Sequence, residues 1–75
     1  MTLAELEPGM SGVVKRVFAK GLLAQRLIDM GLYPGITVNV IRRAPLGDPV
    51  EIEAEGTFIS LRREEADFVE VFHQI

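Results

Sequence analysis

The chain has 75 residues, of which 48% are hydrophobic and 25% charged, with a net charge of −3 and no cysteine. That size predicts one domain over residues 1–75, of ordinary globular composition, burying only roughly 60–65% of its unfolded surface. The absence of Cys excludes disulfides, thiolate catalysis and zinc-finger scaffolds. The acidic balance opposes phosphate binding, and no run reaches the ~20 apolar residues of a membrane span.

The start, Met1-Thr2-Leu3-Ala4-Glu5, lacks the basic and apolar stretches of a signal peptide, so none is expected. Pro8-Gly9 marks a turn. Val13, Lys15 and Val17 then alternate with Val14, Arg16 and Phe18, which reads as a first strand ending at Gly21. Leu23, Leu27 and Met30 recur at helical spacing, while Gln25, Arg26 and Asp29 fall elsewhere on the wheel. Gly31 supplies a left-handed C′ position, Leu32 is placed to fold back on the last turn, and Pro34 is a second stop.

Pro34-Gly35 reads as a turn needing glycine at its third position. Beyond it Ile36, Val38 and Val40 share one side of a strand, and Thr37, Asn39 and Arg43 the other. Pro45-Leu46-Gly47-Asp48-Pro49 cannot continue a ladder, because proline lacks the N–H, and is expected to form a hairpin tip. Val50, Ile52 and Ala54 point inward on the returning strand, with Glu51, Glu53 and Glu55 outward. Glu55-Gly56 is the next tight turn, followed by a strand over 57–62 with Ile59 and Leu61 on the core side. A single helical turn over 63–66 precedes a last strand, Phe68–Phe72.

Five short strands with one inserted helix predict an all-β fold, a small SH3-like β-barrel, which would remove the exposed edges of an open sheet. An OB-fold carries its helix between strands three and four, where this chain has only Glu55-Gly56.

The ordered elements RLIDMGLYPG and RRAPLGDPVEIEAEGTFISLRREEA carry a resemblance. Arg26, Leu27, Gly31, Leu32, Pro34 and Gly35, then Ala44 through Pro49, then Gly56, Leu61, Arg62, Arg63 and Ala66, together resemble the FeoA family. Leu3, Leu6, Gly9 and Gly12 fit its opening. The resemblance implies a small cytoplasmic, non-enzymatic accessory protein of bacterial ferrous iron uptake. It would act with the membrane transporter FeoB, whose cytoplasmic part carries a GTPase domain. The family also includes tail domains of metalloregulators, so a regulatory small barrel binding protein or nucleic acid is the alternative. The low isoelectric point and the lack of a helix-turn-helix favour the first reading.

The residues offer little chemistry. His73 is the only histidine, and a single imidazole beside scattered Asp67, Glu64, Glu65 and Glu70 is a poor site for ferrous iron. Glu51, Glu53 and Glu55 have the spacing of a solvated strand face, not of a general acid/base pair. Ser11 and Ser60 have no base nearby. No catalytic, cofactor or metal site is therefore expected. Arg42, Arg43, Arg62 and Arg63 are expected to meet the glutamate face as cross-strand ion pairs, the alternative being that they grip an acidic partner, and Asp48 to bond the backbone of its own tip. With Tyr33 taken as the one aromatic residue in the middle of the chain, no stacking platform for single strands is expected. The expected docking surface is Arg26 and Asp29 on the helix, the corner Leu32-Tyr33 and the tip Pro45-Leu46.

Overall fold

The structure is a computed structural model and describes residues 1–74. Five antiparallel strands form one sheet: β1 (Ser11–Val17), β2 (Thr37–Arg43), β3 (Val50–Ala54), β4 (Thr57–Leu61) and β5 (Val69–Gln74). Their spatial order is β4-β3-β2-β1-β5. Helix α1 (Gly21–Asp29) links β1 to β2, and the single-turn α2 (Arg63–Ala66) links β4 to β5. The fold is thus mostly β with one short inserted helix, as the pattern predicts.

The inward residues Val38, Val40, Val50, Ile52, Ile59 and Leu61 are all buried. Leu27, Leu32 and Ala66 join them from the helical segments, and Leu3 and Leu6 from a 3-10 turn over Leu3–Glu5. Arg43 holds that turn in place by donating from one guanidinium nitrogen to the carbonyls of Ala4 (2.7 Å) and Leu6 (2.6 Å).

The turn chemistry follows the punctuation. The Gly31 N–H donates to the Ile28 carbonyl and the Leu32 N–H to the Leu27 carbonyl, the paired bonds of a Schellman ending with Gly31 at φ +100°. The Ile36 N–H closes onto Tyr33 with Gly35 at φ +94°, in the third position that requires glycine. Glu55 and Gly56 both take positive φ, the geometry of a two-residue hairpin loop matched to strand twist.

Two expectations fail at β-bulges. In β2, Val40 faces Ile52 but Arg42 faces Glu51, so Ile41 is an extra residue. Arg43 is thereby opposite Val50, on the core side, and not on the Thr37 and Asn39 side. In β1, Val14 faces Val71 but Arg16 faces Glu70, so Lys15 breaks the alternation and returns Val17 to the side of Val69. The last strand also runs past Phe72, to Gln74.

Candidate functional site

The candidate surface is built from shape and charge on helix α1, the corner beyond it and the hairpin tip. Helix α1 buries Leu27 and leans Leu23 and Met30 on the core, leaving Leu22, Gln25, Arg26, Ile28 and Asp29 outside. Asp29 accepts a hydrogen bond from the Gln25 amide one turn earlier, at 2.7 Å. Tyr33 stands half-exposed at the corner beyond the helix. Leu32 does not accompany it: its side chain is fully buried, drawn in by the fold-back over Leu27, and is not available for docking.

The tip is a tight turn in which the Gly47 N–H bonds the Ala44 carbonyl at 2.7 Å. Pro45 takes its second position, which suits the fixed φ of proline. Leu46 follows at the apex with 97% of its surface exposed. Asp48 does not bond the tip itself. Its Oδ1 accepts from the Arg63 N–H at 3.0 Å, tying the loop to α2.

Helix α1 is tied to the same turn. The Arg26 guanidinium lies 3.1 Å from Glu65 Oε2, while Glu65 Oε1 accepts from the Arg62 N–H at 2.9 Å. The Glu65 side chain is only 11% exposed, so it is a bridge built into the fold. Of the anticipated docking residues, Arg26, Asp29, Tyr33, Pro45 and Leu46 are exposed, and α2 is the element to which both helix and tip are fastened.

The outer sheet face carries cross-strand polar pairs. Ser11 donates to Asn39, Asn39 to Glu53 at 2.6 Å, and the Gly56 N–H to Glu53 at 2.6 Å. The Gly56 N–H and then the Asn39 amide hold the Glu53 carboxyl below its ordinary range. Arg42 forks onto Glu51 at 2.9 and 3.0 Å; its hydrogen bonds lower the Glu51 pKa and raise that of Arg42. Only Arg42 of the four arginines meets the glutamate face as expected. Arg43 is spent on backbone carbonyls, and among the described residues the side chains of Arg62 and Arg63 form no ion pair.

Several exposed apolar residues escape the sequence reading. Leu22 is 91% exposed at the start of α1. Phe58 is a second mid-chain aromatic, 75% exposed, and its outward position follows from the period of two that buries Ile59 and Leu61. Phe72 is exposed on β5, with the Lys15 ammonium 5.0 Å from its ring centre. His73 lies exposed on β5 opposite Gly12. Among the described residues no three His, Cys, Asp or Glu side chains converge as a metal would require.

Comparison with known proteins bears on the whole of this architecture. The FeoA domain family matches residues 1–72. A fusion of an Fe(2+) transport protein A with the transporter FeoB, from Porphyromonas gingivalis, is 41% identical over 71 residues; the match covers 95% of this chain and 8% of the fusion protein. The solution structure of iron(II) transport protein A from Clostridium thermocellum superimposes with a TM-score of 0.93 at 38% identity, over 97% of this chain and 45% of that one. FeoA of Stenotrophomonas maltophilia, complexed with zinc and described as an SH3-domain protein, matches at a TM-score of 0.83 and 35% identity, over 95% of this chain and 88% of that one. A manganese-dependent transcriptional repressor shares the fold alone, at 17% identity and a TM-score of 0.90, over 99% of this chain and 36% of that one. The barrel is therefore SH3-like, as the strand pattern predicts.

Proposed function

The chain belongs to the FeoA family, and on that premise we propose that it is a single-domain, non-enzymatic accessory protein of bacterial ferrous iron uptake. It docks on the cytoplasmic, GTPase-bearing part of a FeoB-type transporter and modulates it, and it resides in the cytoplasm, at the membrane through its partner. The observation that carries this reading is the P. gingivalis fusion, in which a homologous domain is covalently joined to FeoB. Covalent linkage raises the effective concentration of one module at the other, which is useful where two modules work in contact. No helix among the described residues is long and apolar enough to cross a membrane, so attachment falls to the surface.

The surface best suited to docking comprises the tip Pro45-Leu46, Tyr33 and the outer side of α1 with Arg26 and Asp29. Leu46 is held by a hydrogen-bonded turn whose loop is pinned to α2, so little entropy is lost when it enters a pocket. Tyrosine and arginine are the residue types that dominate interface energetics. The test is calorimetric titration of the full chain against the soluble cytoplasmic part of FeoB, with circular dichroism as the fold control. Leu46→Glu and Tyr33→Ala are each expected to weaken binding by ~1–3 kcal/mol while leaving the fold intact. Wild-type affinity in both variants would move the docking face elsewhere, and no binding by the wild type would refute the reading.

A further inference from the structure

We propose that two copies of this chain associate by antiparallel pairing of their β4 edges. The strand pairing does not close on itself, so edges expected to be removed remain: the sheet has two ends, and they are finished differently. The β5 end is capped by the N-terminal segment: Thr2 bridges Glu70, and the Val71 N–H donates to the Met1 carbonyl at 2.9 Å. The β4 end is bare. Its sequence, Thr57-Phe58-Ile59-Ser60-Leu61, contains neither the charge nor the proline with which edge strands are usually protected.

The hairpin fixes which backbone groups are free. A two-residue loop makes Ala54 and Thr57 a hydrogen-bonded pair, so Ile52 with Ile59 and Val50 with Leu61 are hydrogen-bonded too. Phe58 and Ser60 therefore turn their N–H and C=O groups away from β3, and among the described residues nothing else bonds them. Arg62 cannot extend this row, because its N–H is taken by Glu65 and its carbonyl by the N–H groups of Glu65 and Ala66.

Those constraints select one register. Setting Phe58 of one copy opposite Ser60 of the second satisfies every free group on both edges, with Ile59 on the two-fold axis. The two Phe58 rings then become diagonal neighbours, a separation aromatic side chains can span. The flanking charges favour the same antiparallel arrangement. The segment begins with Glu55 and ends with Arg62 and Arg63, and none of these side chains joins an ion pair among the described residues. Antiparallel pairing brings Glu55 of each copy toward the arginines of the other, whereas parallel pairing would juxtapose like charges. This self-complementarity is what singles out a second copy as the occupant. An edge of this length buries less area than stable dimers do, so the association is weak and concentration-dependent.

Sedimentation equilibrium of the full chain, from micromolar to millimolar, is expected to show a mass rising from 8.3 kDa toward twice that value. The Phe58 and Ser60 amides should gain hydrogen-exchange protection over the same range. Ser60→Pro deletes an outward N–H without removing a ladder bond, and should hold the protein at the monomer mass. Independently of that variant, Arg63→Glu should weaken self-association by about tenfold, and Glu55→Lys combined with Arg63→Glu should recover most of it. A monomer throughout the series, or association unchanged by both Ser60→Pro and Arg63→Glu, overturns the proposal. Either result leaves the transporter-docking test on Leu46 and Tyr33 standing on its own.

Discussion

At Gly31 an added Cβ would meet no atom within 4 Å, whereas at Gly12 it would stand 2.9 Å from the Phe72 carbonyl oxygen and 3.1 Å from Leu6 Cδ1. The first position is constrained by backbone alone, with φ at +100°, and the second by packing alone. Gly31→Val should therefore cost about 1–2 kcal/mol, lowering Tm by roughly 5–15 °C for a domain of this size. Gly31→Asn should recover much of that loss, since asparagine tolerates left-handed geometry. Gly12→Asn should be worse than Gly12→Ala, because each added atom crowds the Phe72 carbonyl and Val71 further. Thermal melts of the four variants check this, and equal effects of Asn at both sites would contradict it. The constraint at Gly31 was legible from its place between a helical period and a proline. That at Gly12 was not, because it depends on β5 lying across β1.

The strands were legible wherever a period of two ran unbroken, as in β3, and misread where a bulge intervened. Nothing local in Val-Ile-Arg-Arg distinguishes an extra residue from a continued alternation, since a bulge is a fact about the pairing of two strands. The consequence for Arg43 was large, moving it from the glutamate face to the carbonyls of the N-terminal turn. The glutamate face itself was anticipated, but the bonds around Glu53 were not. The pKa of Glu53 is lowered in the folded chain by the Gly56 N–H and the Asn39 amide. A carboxyl with a depressed folded pKa contributes stability above its unfolded value and loses it as pH falls through the folded value. Glu53 and Glu51 should thus be fully stabilising above about pH 5, with that contribution fading below their ordinary value of 4.5. Glu53→Gln should flatten the acid limb of a stability–pH curve measured by urea unfolding while changing neutral-pH stability modestly. An acid limb of unchanged slope would remove Glu53 from the titration.

On the scale of the whole molecule, α2 is a junction: its Glu65 reaches α1 and its Arg63 N–H holds the hairpin tip. The turn itself was legible in Arg63-Glu64-Glu65-Ala66, and so was the exposure of Leu46 and Tyr33. Its role as the meeting point of helix and tip was not, because residues 26, 48 and 65 are far apart in the chain and meet only in the folded molecule. A mechanical coupling follows. Glu65→Ala removes an acceptor from the Arg62 N–H and a partner from Arg26, and should cost about 1–2 kcal/mol, mostly through the lost cap, since Arg26 is largely exposed and stays solvated. Asp48→Ala frees the tip from the Arg63 N–H and should cost about 0.5–1.5 kcal/mol. If α2 acts as one body, losing either tie loosens the turn that the other tie needs. The double variant should then be less destabilised than the sum of the singles by at least ~0.5 kcal/mol, which is beyond the additivity expected of independent sites. Urea unfolding of the wild type, both singles and the double gives the coupling directly. Strict additivity would mean that helix and tip are fastened to α2 independently, so that a partner gripping Leu46 would leave the ion pair to α1 undisturbed.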